Sequence, residues 1–297
     1  MPHLKLSNPT ICSCDYEVYL SSPFNTTYYK ELRITSINYG SSTSNVSEYV
    51  VSVIAKSSSS QYVTGKVNDG MSAGKTYILY AYAQAQNGTW YLAGSNTIAT
   101  KTTGTNYAMY PCRKMYITAD YYHPKTHYDH SKGSTTGAPY DWPWDDNCGD
   151  TGRSYIYCPC DEMKVTRVHG VGGTGTNTIW LRSTSKVELA NGSKNYLVMM
   201  VIHPNDDTLQ GISAGKIYTR GEAMFKEGDD GYATGYHFHI SLGLGDIEGN
   251  GWRNVPGTEY YVIYTSNNPI KPEDALFINT DFTTVLNDAG LNFKYKN

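Results

Sequence analysis

Seven of the eight histidines in this 297-residue chain lie in its second part: His123, His127, His130, His169, His203, His237 and His239. Imidazole titrates closest to neutrality of all side chains, and it serves both as proton carrier and as metal ligand. A set of them on strands and one loop therefore calls for a chemical reason. The most informative stretch is Tyr236-His237-Phe238-His239-Ile240. Residues two apart on a strand share a face and lie about 6–7 Å apart along it. His237 and His239 are expected to line one cleft while Phe238 packs into the core. His203 closes the apolar run 196–202 and is followed by a segment punctuated by Gly215, Gly221, Gly228, Gly231 and Gly235.

Competing chemistries find little support. There is no serine-nucleophile motif, P-loop or dinucleotide fingerprint. The glycine-rich stretch 170–175 lacks a strand-to-helix setting and reads as a hairpin. Cys12, Cys14, Cys112, Cys148, Cys158 and Cys160 form no C-x-x-C pair. Cys148, Cys158 and Cys160 together are a metal-site alternative. The favoured readings are small buried hydrophobes or one or two disulfides.

The elements that must position these residues read as strands. Tyr and Gly are each present 28 times, charged residues make up 17% and hydrophobic residues 39%. That palette suits an all-β chain with many turns. Alternating runs fall at 17–20, 49–54 and 77–82, the runs 179–182, 196–202 and 237–242 also read as strands, and Asn87-Gly88 predicts a type I′ hairpin turn. Residues 57–60 read as a loop. The single helix signal is 272–277, where Pro and acids occupy a first turn. The polar stretch 99–106 is a linker, dividing an N-terminal β-sandwich (1–104) from an antiparallel β-rich domain (105–297). The net charge of −3 argues against nucleic-acid binding. No apolar run reaches 18 residues, which argues against membrane insertion. The first residues lack a secretory pattern, so action outside a cell would require release at lysis or carriage in a virion.

Two resemblances add to this reading. The segment 71–83, with Tyr77-Ile78-Leu79-Tyr80-Ala81-Tyr82, resembles a fibronectin type III module near its tyrosine corner and implies a spacer or binding part; a generic β-sandwich is the alternative. The Gly-spaced segment 214–235, ending in Thr234-Gly235-Tyr236-His237-Phe238-His239, resembles the lysostaphin/LytM-type zinc metallopeptidases. The resemblance covers roughly 115–244. It implies His239 as a zinc ligand, with His203 and His237 as catalytic residues. It also implies His130 and Asp141 as the first two ligands, with His127 and Asp129 standing nearby as alternatives. Trp142, Trp144 and Tyr236 flank these positions and are expected to shape a peptide groove, ordinary packing being the other reading. His123 is read as a supporting, substrate-side or solvated residue, and His169 as a loop residue. Cys158 and Cys160 fall where the family has small or apolar residues. The implied activity is zinc-dependent hydrolysis of stem or cross-bridge peptides in bacterial peptidoglycan. The implied setting is a bacteriophage tail-associated lysin, with other tail proteins as partners, or an endolysin released at lysis. An inactive metallopeptidase-like scaffold and a glycan-binding tail or adhesin protein are the alternatives.

Overall fold

A computed structural model of the chain describes residues 3–20, 29–54, 62–68, 70–102, 104–123, 126–127, 141–173, 175–245, 252–254, 261–263 and 269–297. The fold is all-β, in two compact units, Met1–Thr103 and Gly104–Asn297. The proposed ligand His130 and the loop 57–60 lie outside the described residues.

Unit 1 contains β1 (His3–Ser7), β2 (Cys14–Tyr19), β3 (Glu31–Thr35), β4 (Ser42–Thr43), β5 (Val51–Ile54), β6 (Tyr62–Val67), β7 (Thr76–Gln84) and β8 (Trp90–Ala99). They form a three-stranded sheet, β1-β2-β6, and a five-stranded sheet, β4-β8-β7-β3-β5. Alternation drives the packing: Cys14, Tyr16 and Val18 of β2 point inward to meet Leu32, Ile34, Leu79 and Ala81. Gly94 permits a close crossing, since a Cβ there would lie 2.5 Å from the Leu4 amide nitrogen. The Tyr77 hydroxyl accepts the Ser72 amide at 2.7 Å, and the buried Tyr82 hydroxyl accepts that of Tyr39 at 2.8 Å. The β7–β8 hairpin forms, but its turn is not type I′. That turn requires positive φ at both central residues, whereas Gly88 takes φ 90° and Asn87 is not in the positive region.

Unit 2 opens with β9 (Lys114–Ala119), β10 (Trp144–Asp146), β11 (Tyr155–Tyr157), β12 (Glu162–His169), β13 (Thr178–Ser183), β14 (Val187–Glu188), β15 (Lys194–Asn195) and β16 (Leu197–Ile202). After the short helix α1 (Asp206–Leu209) come β17 (Ile217–Thr219), β18 (Ala223–Lys226), β19 (Phe238–Leu244), β20 (Trp252–Asn254) and β21 (Tyr261–Ile263). The chain ends with α2 (Pro272–Ala275), β22 (Phe277–Ile278), β23 (Thr284–Asn287) and β24 (Lys294–Tyr295). Helix α2 is shorter than the 272–277 expectation because Leu276 is already extended and Phe277 enters a strand. His169 ends β12 rather than lying in a loop.

The main sheet runs β17-β12-β13-β16-β19-β10-β9-β23, antiparallel except for the β9–β23 pair. Its central strand β16, Leu-Val-Met-Met-Val-Ile, is apolar throughout because both faces are covered. Met199 and Val201 join the large core with Phe238 and Ile240, while Val198 and Met200 pack with Trp180 on the other side. All six cysteines are buried, the packing reading, and Cys14, Cys112, Cys148, Cys158 and Cys160 are free thiols. Arg220 is buried too, satisfied by Asp161, Asn106 and the carbonyls of Pro159 and Tyr107.

Candidate metal centre

The site forms where β10 and β16 flank β19. Their register sets Asp145 opposite His239 on one side and Ile202 opposite His239 on the other. Within β10 the alternation does two jobs. Trp144 and Asp146 point to the core, where Tyr110 donates to Asp146 Oδ2 and accepts the Trp144 indole N–H at 3.1 Å. Asp146 also accepts the amides of Tyr116 and Cys148. Thus anchored, β10 presents Asp145 on the opposite face, toward the histidines.

His127, Asp145 and His239 gather with one ligand atom each, all within 4.8 Å of one another. Asp145 Oδ1 lies 3.2 Å from His127 Nε2 and 3.0 Å from His239 Nδ1, and His237 Nε2 is 3.9 Å from the same oxygen. The His203 ring centre is 4.7 Å from that of His237 and 6.0 Å from that of His239. The fold thus brings together His203, His237 and His239, all singled out from the sequence.

Of the other two expected ligands, His130 lies outside the described residues. Among the described residues His127, an alternative from the sequence, and Asp145 stand beside His239, and the charge of Asp141 is felt at His127. Asp141 lies four positions before the Asp145–His239 pair, and its Oδ2 accepts the Ser241 hydroxyl at 3.0 Å. Asp145 escaped the sequence reading: Trp144-Asp145-Asp146 carries two adjacent acids, and nothing local says which of them faces the histidines. Of the three expected groove residues, Trp144 is buried in the core and takes the packing reading, Trp142 packs edge-on to Tyr121 with ring centres 5.0 Å apart, and the exposed Tyr236 lies under the Arg153 guanidinium at 5.7 Å.

Three imidazoles are fixed in the same tautomer by main-chain carbonyls, which can only accept. Nδ1 of His127 donates to Asp120 O at 2.6 Å, that of His203 to Asp230 O at 2.7 Å, and that of His237 to Gly235 O at 2.8 Å. Each neutral ring then carries its lone pair on Nε2. At His127 that lone pair faces a carboxylate oxygen, an acceptor against an acceptor. Only a cation between them, a proton or a metal ion, makes the contact attractive. The donor set of two imidazole nitrogens and one carboxylate oxygen fits Zn²⁺.

The titration directions follow from the same contacts. Burial pushes His127 down, but its bond to Asp145 and that carboxylate's charge outweigh burial and raise it above the usual imidazole value. Burial favours a protonated Asp145, yet bonds from His127 and His239 hold it far below the carboxylate range. His203 is lowered to about 4 by burial and then by the neighbouring charges of His239 and His237.

His203 sits at φ 81°, a backbone conformation uncommon for a residue with a side chain. The strain is held in place by hydrogen bonds: its N–H donates to Asn177 O at 3.0 Å, and its carbonyl accepts the Asp230 amide at 3.2 Å. Gly228 allows this turn, since a Cβ there would come within 2.1 Å of the His203 carbonyl oxygen.

No family model matches the chain. Over 116 residues it is 34% identical to Morphogenesis protein 1 of Bacillus phage B103, covering 36% of this chain and 28% of that protein. The chain therefore spans little more than a quarter of that relative's length. Among solved structures, a zinc-containing peptidase from Vibrio cholerae is 15% identical, with a TM-score of 0.28, over 57% of this chain and 53% of that one. A Pseudomonas aeruginosa protein assigned to peptidase M23 is 12% identical, with a TM-score of 0.26, over 77% and 87%. Scores this low leave the reading of the site to rest on its own geometry. Among the described residues no helix is long and apolar enough to cross a membrane.

Proposed function

We propose that unit 2 is a zinc-dependent endopeptidase acting on the peptides of bacterial peptidoglycan, with His127, Asp145 and His239 as ligands. The observation that carries this reading is the convergence of three ligand atoms within 4.8 Å, flanked by two further imidazoles. Asp145 takes the role first given to Asp141, and His127 the role first given to His130. The relative from a Bacillus phage supports a phage setting, in which the chain serves as a wall-degrading lysin carried in the tail or released at lysis. Unit 1 is read as a fibronectin type III-like accessory module, supported by its two-sheet sandwich and the Tyr77–Ser72 bond.

When bound, zinc supplies Lewis acidity and lowers the pKa of water to about 7. His203, lowered to about 4, is neutral at neutral pH, and its free Nε2 accepts a proton from the attacking water. His237, tied at Nδ1, offers Nε2 as the second proton site, for delivery to the leaving amine. Tyr236 stands at the approach to this pair.

The test is zinc content by elemental analysis together with turbidity loss of peptidoglycan suspensions. About one zinc per chain in wild type, lost with lysis in His239→Ala and Asp145→Asn but kept in Asp141→Asn, is the expected result. Zinc retained in Asp145→Asn and lost in Asp141→Asn would restore the first assignment. A zinc-bound chain inert on a broad panel of walls would favour an inactive scaffold.

A further inference from the structure

Beside the metal centre stands a lysine whose position nothing above explains. Residues 269–271 run along β19 just beyond the reach of β10: Gly243 and Pro269 form a bridge, and the Ile270 amide donates to Leu242 O at 3.1 Å. This places Lys271 at the start of α2, next to the stretch where Asp141 bonds Ser241. The Lys271 ammonium lies 4.7 Å from the Trp142 ring centre and 5.4 Å from that of Tyr121. Tyr121 and Trp142 meet edge to face, and Tyr122, half exposed, packs 4.6 Å from Tyr121. The Tyr121 hydroxyl donates to Glu273 Oε1 at 2.6 Å, so the nearest acid on α2 is engaged by the platform itself. Lys271 makes no ion pair with any described carboxylate.

A cation held over two rings has lost part of its water shell and much of its rotational freedom, and among the described residues no carboxylate pairs with it. We propose that Lys271, on its Tyr121/Trp142 platform, is a subsite for a free carboxylate on the peptide substrate. Ile270, the neighbour of Lys271, pairs with Leu242, three positions beyond His239 on β19. The subsite therefore recognises a carboxylate a few residues from the bond held at the histidines. This last point rests on the peptidase reading; carboxylate binding itself does not.

The experiment measures binding without turnover. The full-length protein is titrated in EDTA with an N-acetylated alanine tripeptide, bearing either a free C-terminal carboxylate or a carboxamide, and followed by NMR shifts of the Trp indole N–H. The carboxylate form is expected to bind about tenfold more tightly. Lys271→Met, which keeps an alkyl chain over the rings, should abolish the preference, and Lys271→Arg should restore it. Equal affinities in wild type, preference surviving in Lys271→Met, or no binding of either peptide would each overturn the subsite. Preference for the carboxylate in a protein that hydrolyses no wall would support the subsite while removing the peptidase reading.

Discussion

The two units are built from the same materials, antiparallel strands, aromatic residues and a handful of buried polar groups, yet they use the polar groups in opposite ways. In unit 1 the interactions close on themselves. Arg33 pairs with Glu31 at 2.7 Å, donates to the Val46 carbonyl and stacks on Tyr49 and Trp90. Thr100, Tyr77 and Tyr82 likewise spend their hydroxyls on the backbone. In unit 2 the hydrogen bonds hold atoms in readiness. Three imidazoles have their Nδ1–H committed to carbonyls, and the Nε2 atoms of His127 and His237 lie 3.2 and 3.9 Å from one carboxylate oxygen. What separates the two units is the direction of these Nε2 lone pairs and the burial of charge: His127, Asp141, Asp145, Asp146, Arg220 and Glu227 are all buried in unit 2, whereas the described buried polar residues of unit 1 are Ser and Thr.

The largest effect that could break this contrast is at the ligands. Asp145→Asn or His127→Ala should lower wall hydrolysis by about a thousandfold or more, measured as lytic rate alongside zinc content. Arg33→Ala in unit 1 should leave zinc stoichiometry unchanged while costing about 2 kcal/mol in chemical denaturation, from lost stacking and a lost ion pair.

A second contrast sharpens at Glu227, fully buried at the end of β18, whose carboxyl burial raises from 4.5 to about 7. Between those values the unfolded chain has released its proton and the folded chain has kept it. Stability is therefore highest below about pH 4.5, falls as pH rises to about 7, and is level above. The fall is on the order of 2–3 kcal/mol. Glu227→Gln should flatten it in urea midpoints taken from pH 5 to 7.5.

For His203 in metal-free protein, an NMR titration should give a midpoint near 4, with protonation costing stability as pH drops below the ordinary imidazole value. A midpoint near 6.5 would mean that the ring is solvated and the proposed proton acceptor is misplaced. The smallest effect is expected from Tyr77→Phe. Loss of the Ser72 amide's partner should cost about 1 kcal/mol and leave activity untouched.

The legible parts of the molecule are those where a period speaks. Alternation marks β2, continuous apolar or aromatic runs mark β7, β13 and β16, and a two-residue step puts His237 and His239 on one side of β19. The Pro-acid-acid start of α2 is a local signal, although its end is set by a strand. Asp145 and His127 are different: eighteen positions separate them, the intervening sequence has no period, and Asp129, His130 and Asp141 compete along it. Which acid meets His239 is decided by the register of β10 on β19, a long-range fact fixed by the core anchors Trp144 and Asp146. The four-residue α1 is too short to show a helical repeat. At Asn87-Gly88 the dipeptide correctly marks a hairpin, but the loop spans five residues between its strands and needs positive φ only at the glycine.

The carbonyls that fix the three imidazoles have a consequence for how this centre can vary. Asp120, Asp230 and Gly235 act through peptide oxygens that every amino acid carries. Side chains at 120 and 235 can therefore drift under selection without changing which ring nitrogen is basic, and at 235 a Cβ would meet open space. Randomising those two codons and selecting for activity should return a broad spectrum of residues, whereas the same library at position 228 should return glycine alone.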